Sequence, residues 1–154
     1  MAGQAFTYRD THELPVNRKS AWAQLTRSEL YPTWWSWMRD LEVTGTPLEP
    51  GTTFTFRVVA PIPFTMRIVV EIVDSEEAER LEAVIHGDLV GSASMLFEEV
   101  SPETTRATLA WSVEVHKPRV RGAARALRPI LKWGQNWAVD SVLKGFLRHL
   151  DDNR

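Results

Sequence analysis

Hydrophobic and polar residues alternate along most of this chain, and the period of two gives way to a helical period in only a few places. Residues 6–14 put Phe6, Tyr8, Asp10, His12 and Leu14 on one side and Thr7, Arg9, Thr11 and Glu13 on the other, which predicts a half-buried strand stopped by Pro15. Asn17 is placed to cap a short helix bearing Trp22 and Leu25. Ser28 is placed to cap a further helical turn, and Pro32 makes the following Tyr31–Met38 stretch a broken, compact element. Short strand character returns at residues 40–44, followed by the turn signals Gly45-Thr46-Pro47 and Pro50-Gly51. Alternating runs then cover 53–60, 64–74, 80–87, 89–99 and 105–116, with Ser75-Glu76-Glu77 expected as a charged loop. The pattern ends in one long helix from about 119 to 150, in which Pro129 predicts a kink or a division. Strands joined by short loops are antiparallel neighbours, and a sheet with a single apolar face needs a cover. The long helix is the only predicted element large enough to be that cover, so the fold class is α+β, as one domain over 1–154 with an ordered core of about 6–150.

Composition narrows the chemistry. The 154 residues are 44% hydrophobic and 25% charged, within the range of globular domains. Cysteine is absent, which excludes disulfides, thiolate metal sites and a cysteine nucleophile. A net charge of -2 carries no global basic field, so nucleic acid is not an expected partner. The first residues have no basic start and no long apolar run, so the expected location is the cytoplasm. His12, His86, His116 and His149 lack metal-ligand spacing, and Gly91-Ser92-Ala93-Ser94 is not a nucleophile elbow. There is also no phosphate loop or dinucleotide fingerprint, so neither metal nor cofactor is expected. The unusual feature is aromatic: seven Trp beside six Phe and two Tyr.

On the long helix, Gly134, Ala138, Ser141 and Gly145 share one face. Glycine inside a helix costs about 0.5–1 kcal/mol relative to alanine, so the stripe needs a reason. It either leaves volume for a ligand or lets helix and sheet approach closely. Phe54, Phe56, Met66, Met95 and Trp111 are the large groups expected to oppose it. Trp133 and Trp137 flank the stripe, and Trp34, Trp35 and Trp37 fall on the short helical element. These rings either stack on a flat ligand or form a satellite core. Asp10 and His12 share the apolar phase of Tyr8, where an unpaired carboxylate or imidazole is costly. They are either an acid/base pair within a pocket, with Tyr8 as a third proton-transfer group, or rim groups that meet water or each other. Lys117, Arg119, Arg121, Arg125, Arg128 and Lys132 form a basic amphipathic run, which suits an anionic membrane surface, a carrier protein or simply a solvated face.

Several local motifs occur in a telling order. Tyr31-Pro32-x-Trp34-Trp35 precedes Arg39-Asp40-x-Glu42-Val43, and Arg80-Leu81-Glu82 precedes Gly87-Asp88-Leu89-x-Gly91. Trp111-x-Val113, Lys117-Pro118, Leu127-Arg128-Pro129 and Trp133 follow. Over nearly its whole length the chain resembles the START-like, or Bet v 1-like, superfamily (SRPBCC), with its polyketide cyclases, dehydrases and lipid-transport proteins. The resemblance implies the helix-grip fold: a curved antiparallel sheet of about seven strands wrapped around a long C-terminal helix, with two short helices after the first strand. It also implies a cavity for a hydrophobic or aromatic small molecule. On this reading Trp34, Trp35, Phe54, Phe56, Met66, Met95 and Trp111 line it from one side, and Trp133, Gly134, Trp137, Ala138 and Ser141 from the other. Binding without chemistry, a cyclase or dehydrase using Asp10, His12 and Tyr8, and a lipid-handling module docking by its basic run all fit this family. Relatives often carry Asn-His where this chain has Gly134-Gln135, so any role of that histidine is absent here.

Overall fold

Seven strands form one antiparallel sheet whose order is β1-β7-β6-β5-β4-β3-β2. The structure, a computed structural model, describes residues 5–59, 65–116, 137 and 140–150. Along the chain come β1 (Ala5–Leu14), α1 (Arg18–Leu25), a 3-10 turn (Ser28–Leu30), α2 (Tyr31–Trp34), β2 (Met38–Thr44), β3 (Thr53–Val58), β4 (Met66–Glu76), β5 (Arg80–Gly87), β6 (Leu89–Ser101) and β7 (Thr104–Val115). Residues 140–150 are helical and are called α3. The expected kink at Pro129, the helix between 119 and 136, and the basic run 117–132 lie outside the described residues. No described helix is long and apolar enough to cross a membrane.

The predicted alternation runs along the strands and is interrupted at register shifts in the β2–β3, β4–β5 and β6–β7 pairs. Residues directly opposite in an antiparallel pair share a face, so the register carries one row Tyr8–Trp111–Ala93–Ala83 across four strands, and a second row Asp10–Leu109–Met95–Leu81 beside it. Two local boundaries differ from expectation. Ser28 begins the 3-10 turn instead of capping it, because Arg27 occupies the cap position with no side-chain bond. Ser75 and Glu76 belong to β4 and not to a loop, since they pair with Leu81 and Arg80. Arg80 draws them into the ladder by bonding both Asp74 and Glu76 across the hairpin.

The first helical unit is held at both ends. Asn17 Oδ1 accepts the Ser20 amide at 2.8 Å, the side-chain cap expected from sequence. The Thr105 hydroxyl donates to the Val16 carbonyl at 2.8 Å, which ties the β1–α1 connection to β7. α1 buries Ala21, Trp22 and Leu25, and the Trp22 ring meets Phe97 of β6 edge-on at 5.9 Å. Tyr31 is buried, and its hydroxyl donates to the Leu25 carbonyl. α2 and α3 then meet through Trp34 and Trp35. The Trp34 ring lies 5.4 Å from Phe146 and 4.3 Å from His149, Trp35 Nε1 donates to the Val142 carbonyl at 3.0 Å, and His149 Nε2 lies 2.6 Å from Gln24 Oε1.

Glycine identity matters at two sites for different reasons. A Cβ on Gly91 in β6 would sit 1.9 Å from the Ser112 carbonyl oxygen on β7. Gly51 has open space around it but a φ of +92°. Gly91→Ala therefore must push two paired strands apart and should cost about 3 kcal/mol or more, whereas Gly51→Ala should cost only the left-handed penalty of about 1–2 kcal/mol. Urea denaturation of both variants gives the comparison, and equal costs would contradict the assignment. Burial, and secondarily the charge of Glu29, push the Tyr31 phenol far above the ordinary tyrosine range. A raised folded-state value means that the proton is held more tightly when folded, so this stabilisation is complete below about pH 10, the unfolded value, and fades as the pH climbs above it. Tyr31→Phe should flatten the alkaline fall in melting temperature, while losing about 1 kcal/mol at neutral pH from the missing hydrogen bond.

Candidate functional site

The inner face of the sheet is sealed at its ends and loose in its middle. Leu14, Thr105, Ala107 and Phe97 are buried at one end and Val113 and Val115 at the other. Between them, Tyr8, Leu109, Trp111, Ala93, Met95 and Leu81 are only half-buried, although all point to the side that α1 and α3 cover. A close-packed interface would leave such apolar groups with little exposure.

The polar groups of β1 enter this region by the strand's own geometry. Positions 8, 10 and 12 alternate onto the inner face with Phe6 and Leu14. Tyr8 Oη lies 2.8 Å from His12 Nε2, with the two rings nearly parallel at 8° and 6.4 Å apart. The hydroxyl donates when His12 carries its ring proton on Nδ1, and accepts when Nε2 is protonated. The other side of Tyr8 stacks on Trp111 at 4.7 Å and 29°. Partial burial, then the nearby Asp10 charge, raise the Tyr8 phenol above its ordinary value, so it stays a neutral donor through the physiological range. Asp10 itself is exposed, and its Oδ1 takes the Thr11 amide at 2.8 Å. The structure thus brings Tyr8 and His12 together as a hydrogen-bonded pair and leaves Asp10 beside them facing water.

The other residues expected from sequence divide into two groups. Trp34, Trp35, Phe54, Phe56 and Met66 are buried in the continuous core. Met95, Trp111, Trp137 and Ser141 are half-buried, with the Trp137 ring 6.2 Å from that of Trp37. Trp133, Gly134 and Ala138 lie outside the described residues. At Gly145, the fourth member of the small stripe, the reason for glycine is close approach: a Cβ there would lie 2.4 Å from the Trp34 carbonyl oxygen and 2.7 Å from the Trp35 ring. Among the described residues two indole donors, Trp34 Nε1 and Trp37 Nε1, are buried without an acceptor. Sequence reading missed Ala93, Leu109 and Leu81 as members of the loose region. Their alternation was visible, but their adjacency to Tyr8 and Trp111 needs the strand register.

An open depression of about 470 Å³ crosses the sheet from β1 to β5, and its lining joins Tyr8, Trp111, Ala93 and Ala83 of the inner row to Arg9 and Glu82. Among the described residues no three His, Asp or Glu side chains are grouped so as to hold a metal ion.

No protein-family model and no curated protein sequence matches the chain. Solved structures do. A START superfamily protein from Mycobacterium smegmatis superposes with a TM-score of 0.74 over 96% of this chain and 99% of that one, at 14% identity. The ZhuI aromatase/cyclase from Streptomyces sp. R1128 gives 0.78 over 96% and 94%, at 11% identity. Norcoclaurine synthase from Thalictrum flavum, in complex with dopamine and hydroxybenzaldehyde, gives 0.68 over 99% and 90%, at 9% identity. Its antiparallel seven-stranded sheet with a C-terminal helix is the helix-grip fold that these neighbours share.

Proposed function

We propose that this protein binds one flat hydrophobic or aromatic molecule between the middle of the sheet and the C-terminal helix, with the ligand's polar end at Tyr8 and His12. The observation that carries this reading is the half-buried centre of an inner face whose two ends are sealed. Three further features support it. The Tyr8–Trp111 stack offers an aromatic wall. Tyr8 and His12 offer one exchangeable donor–acceptor pair beside the apolar groups of β6 and β7, the usual make-up of a small-molecule site. The norcoclaurine synthase with this fold holds two small aromatic molecules.

The binding reading makes a signed prediction at Ala93, which sits between Trp111 and Ala83 on the inner row. Ala93→Leu should fill open volume. Added apolar burial stabilises by roughly 25 cal/mol per Å², so the melting temperature should hold or rise slightly, while uptake of N-phenyl-1-naphthylamine should fall at least tenfold. If the region is close-packed instead, the same change overpacks it at a cost of about 1–3 kcal/mol, and the wild type takes up no probe.

A second reading, favoured by the 2.8 Å contact of Tyr8 with His12, is a proton-transfer enzyme of the cyclase or dehydrase type. His12 is the general base or acid, Tyr8 relays or donates the proton, and Asp10 acts through its charge. Tyr8→Phe and His12→Gln separate the two readings. A binder should lose about tenfold in affinity for a naphthol and almost nothing for naphthalene, since one hydrogen bond to a polar group is at stake. An enzyme should bind both and lose turnover by about 10²–10⁴-fold. Undiminished naphthol binding in both variants, with no turnover in the wild type, would remove Tyr8 and His12 from the site.

A further inference from the structure

Three arginines stand side by side on the outer face of the sheet. Arg39 of β2 is the direct cross-strand partner of Arg57 of β3, and Arg57 is the direct partner of Arg67 of β4. Partner Cα atoms in such ladders lie about 4.5–5.5 Å apart, so three guanidinium groups share a strip only two strand spacings wide. All three side chains are exposed. Like charges directly opposite one another destabilise a sheet, and where Asp74 faces Glu82 on this same face Arg80 lies beside both. Arg106 lies between Glu13 and Glu98, and Arg80 is bonded to Asp74 and Glu76. The row at Arg39, Arg57 and Arg67 has three like charges and, among the described residues, one ion-paired acid.

Its charge is only partly balanced. Arg57 Nε donates to Asp40 Oδ2 at 2.5 Å. Asp40 reaches it because the register shifts between Arg39 and Glu42 and Asp40 takes a φ of 54°, so the bulge re-aims its side chain. Arg39 Nε donates to the Ser36 carbonyl at 3.0 Å, which fixes the head without neutralising it. Asp88 lies at the β4 end of the row, but its Oδ2 accepts the Arg67 amide at 2.7 Å. Among the described residues Asp40 is the only acid ion-paired with the row. The Nε of two arginines is thus used for anchoring, and among the described residues no bond occupies the paired amino groups of the three heads. Planar guanidinium forks in a row match the several oxygens of a phosphate better than a single carboxylate, which one fork satisfies.

We propose that Arg39, Arg57 and Arg67 form a phosphate-binding strip, on the face of the sheet opposite the inner region, that takes a phosphoryl or pyrophosphoryl group. The group is carried either by a small soluble molecule or by a lipid headgroup, and the experiment separates these. Full-length protein at low ionic strength is titrated with inorganic pyrophosphate and, separately, with phosphatidylcholine vesicles containing phosphatidic acid, each against sodium chloride at matched ionic strength. The expected result is binding of at least one probe, accompanied for pyrophosphate by a rise in melting temperature that sodium chloride does not reproduce. Arg67→Gln and Arg39→Gln should each weaken binding about tenfold, the value of one charge-assisted contact. The double variant should abolish it. Arg106→Gln, on the same face but set between two acids, should change nothing. Without any anion, Arg67→Gln should fold at least as stably as the wild type, since it removes a repulsion; this keeps a binding loss distinct from misfolding. Pyrophosphate binding identifies a soluble phosphate, and binding to vesicles alone identifies the headgroup. The proposal fails if neither probe binds, or if Arg106→Gln weakens binding as much as Arg67→Gln.

Discussion

A sheet with one apolar face is unstable in water until something covers that face, and here the cover is fastened by a small aromatic wedge. Trp34 and Trp35, at the end of a four-residue helix, lie directly against α3, with Gly145 leaving room for the Trp34 carbonyl and the Trp35 ring. The Trp35 indole bonds a main-chain carbonyl of α3, and Trp34 packs on Phe146 and His149. Any side chain at position 145 would lift α3 from this wedge. Fastening the cover at α2 has a consequence for the opposite end of the sheet, where β1, β6 and β7 meet. There the inner residues around Tyr8 and Trp111 are half-buried, while α3 contacts α2 and α1.

This division explains why the expected lining residues separate as they do. Phe54, Phe56 and Met66 belong to β3 and β4, on the side nearest the wedge, and they are core. Met95 and Trp111 belong to β6 and β7, away from it, and they keep part of their surface open. The polar pair on β1 stands at the open side. A phenol and an imidazole in contact keep each other's hydrogen-bonding groups satisfied while leaving further lone pairs or protons for a ligand, which avoids the cost of an isolated buried polar group. Asp10, one step along the same face, remains in water and needs no partner of that kind.

The two faces of the sheet do different work with the same alternation. Inward, the odd steps of the pattern supply aromatic and aliphatic groups. Outward, opposite charges meet at Arg80 and Arg106, where exposed pairs contribute little individually but prevent repulsion. The arginine row across β2, β3 and β4 departs from that arrangement, and the bulge at Asp40 supplies only one counter-charge.

Much of this was legible in the chain itself. Period-two alternation is a local property, since successive side chains on a strand must point to opposite faces. It therefore located all seven strands, set Phe6, Tyr8, Asp10, His12 and Leu14 on one side, and kept His86 and Arg80 outward. Capping is equally local, and Asn17 performs it as its position suggests. What the chain could not decide was anything that depends on which strands pair and in what register. The Tyr8–His12 contact lies within one strand and was within reach. The pairing of Tyr8 with Trp111, 103 positions away, and of Trp111 with Ala93 was not. The same holds for Gly145, whose purpose is set by a ring and a carbonyl about 110 residues earlier, and for the three arginines, each ordinary in its own strand and unusual only when β2, β3 and β4 are laid side by side. Face and period follow from backbone geometry over a few residues, whereas cavity, close approach and charge ladders arise only when distant segments are brought within a few ångströms by the tertiary structure.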